Sequence, residues 1–343
     1  MKSQGEEEST SPNGTYISID IYEVPTPLVI FLSCCYGTIS LVSVVGNLLV
    51  LLIVAISRRM RTVTNYYIAN LATADIVIGL FAIPFHFQAA LLQRWVLPPF
   101  MCAFCPFIQV MSVNVSVFSL AAIAVDRYRA VMYPIKAKTA KGSAKWAILF
   151  IWILGSLIGV PYAIALRVTM MFDPETGDYT KPFCQNVGIP VFWWKVYGYT
   201  LVCLQYVVPL SVITLVYAII GMKLKAAPIP GNSEGERDNA VLRNRKKVIH
   251  MLFIVVALFG ICWLPLQLYN FIQEVMPQIN SYKYINLIWF SCHLLAMSNS
   301  CYNPFIYAMY NKRFNAEFKN RFGRCFSIFR KRRALDISSA RYG

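Results

Sequence analysis

Seven stretches of this chain are long and apolar enough to cross a lipid bilayer as helices, and this feature restricts the fold more than any other. A helix needs about 20 mainly apolar residues to cross the hydrocarbon core, where its backbone finds hydrogen-bond partners only within the helix. Only 14% of the 343 residues are charged, whereas a soluble domain carries about 25%. The sequence therefore predicts an all-α membrane protein rather than a large soluble protein with buried helices. The predicted spans are residues 27–56, 64–92, 99–132, 142–166, 191–225, 240–274 and 283–310.

Three segments lie outside the predicted seven-span domain of residues 27–310. Residues 1–26 form a polar tail without the apolar core of a cleavable secretion signal, so we expect the first span to direct insertion. Residues 312–324 are predicted to form a short amphipathic helix, and residues 325–343 form a second tail. We also expect residues 226–239, which are rich in Pro, Gly, Asn and Glu, to be flexible.

The basic residues are concentrated in alternate segments between the spans. With the N-terminus outside, 26 of the 32 Lys and Arg residues lie on the cytoplasmic side, which is where short basic loops stay. The sequence therefore predicts a multi-pass plasma-membrane protein with an extracellular N-terminus and a cytoplasmic C-terminus. The net charge of +16 then reflects topology and attraction to anionic membrane lipid, and nucleic acid is not an expected partner. Asn13, in Asn13-Gly14-Thr15, is a predicted glycosylation site on the outer side.

Two of the ten cysteines are placed to form a disulfide on the oxidising side of the membrane. Cys184 lies in the longest outer loop, and Cys102 lies at the outer end of the third predicted span. We favour Cys102 as the partner of Cys184, and Cys105, one turn deeper, is the alternative. Cys325 follows the amphipathic segment beside basic residues and is a candidate for palmitoylation.

Several polar residues lie within the predicted spans, where an ionisable group is costly unless it is paired or hydrated. Asp75 lies in the middle of the second span, and polar residues occur at comparable depth in three others. A carboxylate among hydroxyl and amide oxygens suits a small hard cation such as sodium, whereas the same residues also suit a hydrogen-bond cluster that joins helices. Residue chemistry leaves both interpretations open. The additional residues are Asn47, Ser116, Asn299 and Asn303.

Asp126-Arg127-Tyr128 ends the third span on the cytoplasmic side. An Arg beside an Asp can form a local ion pair, and breaking that pair would free the Arg to contact another helix, as in a two-state switch. Pro265, in Cys262-Trp263-Leu264-Pro265, and Pro304, in Asn303-Pro304-Phe305-Ile306-Tyr307, are predicted to kink the sixth and seventh spans. Pro84, Pro161 and Pro209 are expected to act in the same way.

Taken in order, these residues resemble the pattern of rhodopsin-like (class A) G-protein-coupled receptors over residues 27–325. The resemblance implies a seven-transmembrane helix bundle with an amphipathic eighth helix and a loop disulfide at Cys102, which lies 25 residues before Arg127. The matching motifs are Gly46-Asn47, Leu71-Ala72-Thr73-Ala74-Asp75, Asp126-Arg127-Tyr128, Trp152, Pro209 with Tyr217, Cys262-Trp263-Leu264-Pro265 and Asn303-Pro304-Phe305-Ile306-Tyr307.

The resemblance also implies roles that residue chemistry leaves undecided. No cofactor is expected other than an allosteric sodium ion, which would stabilise the resting state at Asp75, Ser116, Asn299 and Asn303. Activation would open a cytoplasmic cavity for a heterotrimeric G protein, with Trp263 as the toggle below the ligand. The residues implied in this switch are Asp126, Arg127, Tyr128, Tyr217, Trp263, Pro265, Asn303, Pro304 and Tyr307.

One departure from the family pattern concerns the start of the sixth span. Many relatives place a Glu there to pair with the span-three Arg, but this chain has Arg245. Without that pair, we expect some signalling in the absence of ligand.

The ligand pocket is expected among the outer halves of spans two, three, five, six and seven. Gln109 stands where amine receptors of this family carry an Asp, and Met297 stands where opsins carry the retinal Lys, so neither ligand is expected. The remaining amide and aromatic residues suit a peptide backbone or amidated end. The outer loop 167–190 is predicted to fold as a β-hairpin. The candidate ligand-binding residues are Phe85, His86, Gln109, Gln205, Gln267, Tyr269, Asn270, Trp289 and His293.

Within the class, residues 262–310 resemble invertebrate leucokinin (myokinin) receptors, which are relatives of tachykinin and neuropeptide Y receptors. This resemblance implies a short amidated kinin-type peptide and signalling through Gq, phospholipase C and calcium, with arrestin and a receptor kinase as further partners. Tachykinin-like, RYamide-like and neuropeptide Y-like peptide receptors are the alternatives.

Two other classes of function fit the sequence less well. A seven-helix transporter or channel needs a continuous polar track or paired charges through the membrane, and Asp75 is the only charge near the middle of the predicted spans. An enzyme within the membrane would need paired carboxylates or a metal cluster, and the three scattered histidines do not provide one. The chain is therefore not predicted to be an enzyme.

Overall fold

The computed structural model describes residues 25–92, 94–133, 143–173, 178–225 and 234–320. Within these ranges the chain forms a bundle of seven long helices, a β-hairpin and a short final helix. The helices are α1 (Thr26–Ile56), α2 (Val63–Leu92), α3 (Pro99–Met132), α4 (Ser143–Ala165), α5 (Val191–Val202, Cys203–Val207 and Val208–Lys225), α6 (Glu234–Val275), α7 (Ile285–Tyr310) and α8 (residues 312–320). Short 3-10 turns at Arg58–Met60 and Pro277–Ser281 connect α1 to α2 and α6 to α7.

The predicted membrane bundle is confirmed. Six of the described helices, α1 to α6, are long and apolar enough to cross a membrane. The helix α7 is 26 residues long but more polar, because it turns His293, Ser298 and Asn299 into the bundle, where they are buried. Its polarity therefore belongs to the interior of the protein and not to a lipid-facing surface.

The helix α3 runs through the centre of the bundle. In its most apolar stretch 67% of the residues are buried, against 17% in α4, which lies at the edge. Asn70 of α2 joins three helices, since it donates to Ser119 of α3 (2.8 Å) and accepts from the indole N–H of Trp152 in α4 (2.7 Å). Such hydrogen bonds between membrane helices contribute about 0.6–2 kcal/mol each.

Two of the predicted proline kinks coincide with π turns. In α2 the π turn Ile78–Ala82 ends just before Pro84, and Ile83 donates to the carbonyl of Ile78. In α5 the π turn Cys203–Val207 ends just before Pro209, and Val208 donates to the carbonyl of Cys203. The wider turn lets the residue before each proline keep a backbone hydrogen bond, although the proline itself has no N–H to donate. Pro106, Pro161, Pro265 and Pro304 lie inside continuous α-helix.

The helix boundaries differ from the predicted ones chiefly in α6. That helix begins at Glu234, six residues before the predicted start of the span, so residues 234–239 are helical and not the flexible linker that was expected. The difference has a physical reason, because polar and charged residues that cannot enter a membrane still extend a helix into water. Pro106, inside α3, was not among the expected kinks. The final helix is described to residue 320, and residues 321–324, Asn13 and Cys325 lie outside the described ranges.

A β-hairpin covers one end of the bundle, as predicted for loop 167–190. The antiparallel strands β1 (Leu166–Asp173) and β2 (Asp178–Asn186) pair Val168 with Cys184, and the register shifts at Met171/Phe172. A disulfide joins Cys102 to Cys184, with 5.5 Å between the Cα atoms. The backbone N–H of Trp95 donates to the carbonyl of Pro182 at 2.7 Å. The preferred disulfide is therefore present, and the alternative partner, Cys105, is a free, buried cysteine.

We call the two ends of the bundle the hairpin end, which carries β1 and β2, and the α8 end, which carries residues 312–320. A small cluster of Trp95, Cys102 and Leu166 lies at the hairpin end, separate from the main apolar core. At the α8 end, Phe314 is fully buried against Tyr307, and the hydroxyl of Ser57 donates to Glu317 at 3.1 Å. These contacts fix α8 beside the loop between α1 and α2.

Candidate functional site

A cavity of about 580 Å³ lies at the hairpin end between α3, α4, α5 and α6. Its size is within the range of small-molecule pockets, about 300–1,000 Å³. Four of the predicted ligand residues, all carboxamides, line it together. They are Gln109, Gln205, Gln267 and Asn270.

Helical spacing brings one face of α6 to this cavity. Trp263, Gln267, Asn270 and Glu274 are four, three and four residues apart, so they form one stripe along the helix. Glu274 was not among the predicted ligand residues, although the same periodicity extends to it. It is the one acidic side chain in the described lining, and its carboxylate oxygen lies 3.7 Å from the position of a Cβ built on Gly198 of α5.

The cavity wall on α4 and α5 is aromatic. Tyr162 packs edge-on against Trp194 and Tyr197, with ring centroids 5.1 and 5.7 Å away, and the hydroxyl of Tyr197 donates to the carbonyl of Ile158 at 2.7 Å. The three rings line the cavity together with Lys195. Sequence reasoning missed this group, because the aromatic residues at the start of α5 are indistinguishable from lipid-facing residues until the helix is oriented.

Trp263 forms the floor of the cavity. It is 5% exposed and stacks on Phe259, which lies one turn earlier on α6, with 5.9 Å between the ring centroids. Just below, the hydroxyl of Tyr206, in the π turn of α5, donates to the carbonyl of Gly260 at 2.7 Å. This hydrogen bond joins α5 to α6 next to the turn that Pro265 interrupts.

A second group of predicted residues forms an aromatic cluster between α1, α2 and α7, which we call the histidine cluster. Trp289 stacks on His293 at 4.6 Å, and His86 meets His293 edge-on at 6.3 Å. Tyr36, which sequence reasoning missed, stacks on Phe87 at 4.4 Å and reaches the Nδ1 atom of His293 at 3.0 Å. The members are Tyr36, His86, Phe87, Trp289, Phe290 and His293.

Gln109 connects the histidine cluster to the cavity, because it lines the cavity and lies beside His86. A side-chain hydrogen bond joins Gln109 to His86, and Nε2 of His293 is buried without a hydrogen-bond partner among the described residues. Buried polar atoms are normally hydrogen-bonded, and leaving one unpaired costs about 1–3 kcal/mol. An unpaired group of this kind is therefore a candidate ligand contact.

Two predicted ligand residues belong neither to the described cavity lining nor to the histidine cluster. Tyr269 is nearly buried at 9% exposure on another face of α6, and Phe85 is half-buried on α2. In α6 the reason is geometric, since Tyr269 is six residues from Trp263 and so falls outside the stripe that faces the cavity.

A polar cluster surrounds Asp75 in the middle of the bundle. Asn303 of α7 donates to its carboxylate at 2.8 Å, and the hydroxyl of Ser43 in α1 donates to its backbone carbonyl at 3.0 Å. Asn47 donates to the carbonyl of Ser300 at 2.9 Å. Asp75 is 1% exposed, and the described residues place no cation beside it.

Two further oxygen atoms of the predicted polar residues are buried and have no hydrogen-bond partner among the described residues. They are Oγ of Ser116 and Oδ1 of Asn47. Like the carboxylate of Asp75, they are oxygen ligands of the type that a hard cation requires. The residues present therefore fit a sodium ion.

The polar contacts at the α8 end centre on Arg127. Its guanidinium donates to the carboxylate of Asp126 at 2.6 Å and also to the hydroxyl of Thr64 in α2. That hydroxyl donates in turn to Asp126 at 2.6 Å. The predicted ion pair is present, and Thr64, which sequence reasoning missed, joins both of its members. A hydroxyl at a helix start is so common that the sequence gives no signal for this role.

Tyr217 of α5 and Tyr307 of α7 lie near this ion pair. Tyr217 lies close to Arg127, and Tyr307 lies close to Tyr217. Both hydroxyls are buried without a hydrogen-bond partner, as is Nε of Arg127. The side chain of Arg245 lies outside the described part of the chain.

Comparison with known proteins agrees with this architecture. The profile of the 7 transmembrane receptor (rhodopsin family) matches residues 46–307. The chain is 36% identical to the human neuromedin-K receptor over 293 residues, which are 85% of this chain and 62% of the receptor. It is 34% identical to the substance-P receptor of Aquarana catesbeiana over 338 residues, 97% of this chain and 80% of that protein.

The RYamide receptor of Drosophila melanogaster is 33% identical over 309 residues, 89% of this chain and 64% of the receptor. The chain thus spans slightly less than two thirds of the length of the neuromedin-K and RYamide receptors. The family consists of receptors and not of enzymes, in agreement with the sequence. With the family profile matched from α1 to α7, and with the bundle, the disulfide and the Arg127 ion pair in place, the chain belongs to the rhodopsin family of seven-transmembrane receptors.

Proposed function

We propose that this chain is a G-protein-coupled receptor in the plasma membrane that binds a short amidated peptide at the hairpin end. The observation that carries the proposal is the cavity of about 580 Å³ at the hairpin end, which is lined by four carboxamide side chains and by the rings of Tyr162, Trp194 and Tyr197. The names of the similar proteins, receptors for neuromedin-K, substance P and RYamide, support a peptide ligand.

The chemistry of the lining favours a carboxamide over a carboxylate. Each of the four lining carboxamides both donates and accepts hydrogen bonds. A terminal amide can use both functions because it brings two N–H donors and a carbonyl acceptor. A terminal carboxylate only accepts, so a free-acid peptide would leave the carbonyl oxygens of the lining without donors.

The aromatic walls suit the side chains of such a peptide. Tyr162, Trp194 and Tyr197 present ring faces and edges to the cavity, and aromatic pairs stabilise a contact by about 0.5–1.5 kcal/mol beyond the buried area. An aromatic-rich amidated peptide of the kinin type is consistent with these walls. Tachykinin-like, RYamide-like and neuropeptide Y-like peptides remain the alternatives.

The orientation of the bundle in the membrane is inferred from the distribution of basic residues and from the disulfide. We place the hairpin end outside the cell, because Cys102–Cys184 needs an oxidising compartment, and the α8 end in the cytoplasm, because the basic loops lie there. Asn13 would then be glycosylated outside, and Cys325 palmitoylated at the inner membrane surface.

Signal transmission would begin at Trp263, which is in contact with both the ligand cavity and the core of α6. A ligand that displaces this ring would bend α6 at Pro265 and break the hydrogen bond between Tyr206 and Gly260. The α8 end of α6 would move outward, and Arg127 would leave Asp126 to contact the G protein, with Tyr217 and Tyr307 closing behind it. The proposed pathway is Gq, phospholipase C and calcium, with arrestin and a receptor kinase ending the signal.

A sodium ion would stabilise the resting state at Asp75, Ser116, Asn299 and Asn303. Its support is the buried carboxylate of Asp75 and the buried, unpaired oxygen of Ser116. Asp75→Asn should therefore remove the effect of sodium on agonist affinity, measured as peptide displacement in sodium and in potassium buffers. An unchanged difference between the two buffers would rule this site out.

A transporter or channel is less well supported. Along the described spans, Arg127 and Asp126 form the one ion pair, and it lies at the α8 end and not in the middle of the bundle. Asp75 is in contact with polar residues on α1 and α7 but does not continue into a charged track.

The proposal is tested by calcium imaging of transfected cells against a panel of amidated neuropeptides, each paired with its free-acid form. We expect at least one aromatic-rich peptide to raise calcium, its free acid to be at least about tenfold weaker, consistent with one or two lost hydrogen bonds, and a Gq inhibitor to abolish the response. Equal potency of amide and acid, or silence across the panel, would contradict the proposal.

A further inference from the structure

Glu274 is the one acidic residue whose side chain is described at the hairpin end. It lines the cavity from α6, where it is half-buried. Among the described side chains, no Lys or Arg lies within ion-pairing distance of its carboxylate, although Lys195 of α5 lines the same cavity. A carboxylate that is partly removed from water without a counterion loses solvation free energy. A cationic group that enters the cavity can restore it.

The neighbours of Glu274 lie on α4 and α5. Its Oε1 atom is 3.7 Å from the position of a Cβ built on Gly198, so its side chain extends across to α5. It also lies close to Tyr162 of α4, whose ring packs edge-on against Trp194 and Tyr197. The carboxylate is therefore held beside the aromatic wall of the cavity.

A carboxylate beside an aromatic ring suits a cation in two ways. The carboxylate accepts charge-assisted hydrogen bonds, which are stronger than those between neutral groups. The face of the ring attracts positive charge. A guanidinium can use both contacts, because its planar fork binds a carboxylate through two N–H groups and also stacks on aromatic rings.

We propose that Glu274, with Tyr162 beside it, binds a basic side chain of the peptide and prefers arginine. This cation subsite rests on the proposed function, because it takes the terminal amide of the peptide to lie among the carboxamides of the cavity. It restricts the ligand to amidated peptides that carry a positive charge near the C-terminal end.

The spacing along α6 determines where that charge lies in the peptide. Glu274 is seven residues from Gln267, a distance of about 10 Å along a helix that rises 1.5 Å per residue. An extended peptide spans about 3.3–3.6 Å per residue, so about three residues cover this distance. With the amide beside Gln267, the basic residue is expected at about the third position from the amide.

Binding is measured first on the purified full-length receptor, with acetylated aromatic pentapeptide amides as probes. Each probe carries one Arg at the second, third, fourth or fifth position from the amide, and its partner carries citrulline, which has the shape of arginine without the charge. A ligand that binds only the folded state raises the melting temperature, so a concentration series gives the affinity. We expect Arg at the third position to bind about tenfold more tightly than citrulline, as one charge-assisted hydrogen bond supplies. Equal affinities at every position would overturn the proposal.

Variants of the carboxylate locate the subsite. Glu274→Gln keeps the shape without the charge and should abolish the preference for Arg over citrulline, whereas Glu274→Lys should favour a probe with Glu at that position. The control, Lys283→Gln, removes an exposed charge that lies over Tyr284 and outside the described cavity lining, and its preference should persist. A preference that survives Glu274→Gln, or that disappears in the control, would overturn the assignment. Should Glu274→Gln fail to fold, Glu274→Asp supplies the same test with a reduced preference expected.

Calcium assays with the same probes separate the cation subsite from the proposed function. If amidated peptides raise calcium with equal potency in their Arg and citrulline forms, the cation subsite fails and the proposed function stands. If the Arg probe binds more tightly through Glu274 but no amidated peptide raises calcium, the proposed function fails and the cation subsite stands. Probes that neither bind nor signal would contradict both.

Discussion

The two ends of this receptor hold their buried polar groups in opposite ways. At the hairpin end, carboxamide side chains of α3, α5 and α6 line a cavity, and Nε2 of His293 is buried without a partner among the described residues. At the α8 end, Arg127 is hydrogen-bonded to both Asp126 and Thr64, and these two are bonded to each other. One end presents polar groups to a cavity. At the other end the charges of Arg127 and Asp126 are paired, and the neighbouring hydroxyls of Tyr217 and Tyr307 are buried without partners among the described residues.

The difference shows what each end requires for a change of state. Polar groups that line a cavity gain free energy when a ligand hydrogen-bonds to them, so the proposed function places binding at the hairpin end. A paired charge resists change until a new partner replaces the old one, so the proposed function assigns the resting state to the Arg127–Asp126 pair. A ligand can shift such an equilibrium only by binding one state more tightly than the other, and Trp263 and the bond between Tyr206 and Gly260 connect the two ends.

Removing the central charge of the α8 end should have the largest effect. Arg127→Ala leaves the G protein without its contact, and we expect calcium signalling to fall by about 100-fold or more, the upper range of coupling energies, while labelled peptide still binds. Arg129→Ala, an exposed position two residues along α3, is the matched control and should signal normally. Full signalling by Arg127→Ala would show that this ion pair is not the switch.

Releasing the hairpin should have the next largest effect. Cys102→Ser removes the bond to Cys184. Loss of a disulfide typically lowers the free energy of unfolding by about 2–4 kcal/mol, and here we expect the hairpin beside the cavity to lose its fixed position. We expect peptide affinity to fall steeply in a displacement assay. Cys105→Ser, one turn deeper and unpaired, should change affinity far less. Equal losses in the two variants would mean that burial, and not the disulfide, matters at this end.

Removing one acceptor from the hairpin end tests the comparison directly. Gln109→Leu keeps the volume but loses Oε1, and we expect about a tenfold loss in potency of an amidated peptide, roughly one hydrogen bond to a buried group. The potency of the corresponding free acid should change less, so that discrimination between amide and acid narrows. If discrimination is unchanged, the amide lies elsewhere in the cavity.

The smallest effect is expected from loosening the α8 end. Thr64→Val removes the hydroxyl that bridges Asp126 and Arg127, a loss of about 1 kcal/mol of stabilisation of the resting state. Signalling without ligand should rise about fivefold on that basis. Thr73→Val is the control, because Thr73 lies on the same helix but donates only to the carbonyl of Ala69 in its own helix. A lower or unchanged basal signal for Thr64→Val would remove Thr64 from the switch.

Much of the fold could be predicted from the sequence because the bilayer imposes lengths and periodicities. The seven spans, the hairpin and the disulfide all follow from apolar length, loop position and compartment. The start of α6 was harder, since Glu234 and the charged residues after it extend the helix beyond the membrane, where hydropathy carries no information. The π turns before Pro84 and Pro209 could not be read from the sequence, since a proline indicates a disturbed turn but not which hydrogen-bond pattern replaces it.

The site was predicted in part, and the misses have a common cause. Gln109, Gln205, Gln267 and Asn270 were identifiable because carboxamides inside a span are unusual. Tyr36 and Trp194 could not be identified, because an aromatic residue in a span can equally well face lipid or pack in the core. Only the rotation of each helix about its axis decides which of these it does. Glu274 could have been predicted, because it lies four residues after Asn270 on the same face of α6. The spacing of residues along a helix therefore identifies cavity-lining positions that residue type alone does not.

The most direct test of the account is the movement of α6 at the α8 end in response to chemistry at the hairpin end. Spin labels at the exposed positions Arg129 and Lys247 report the distance between α3 and α6 in the purified receptor. The account predicts that an amidated peptide lengthens this distance by several ångströms, that its free acid does so much less, and that Gln109→Leu weakens the response. A distance that lengthens equally with amide and acid, or that stays fixed while the peptide is bound, would contradict it.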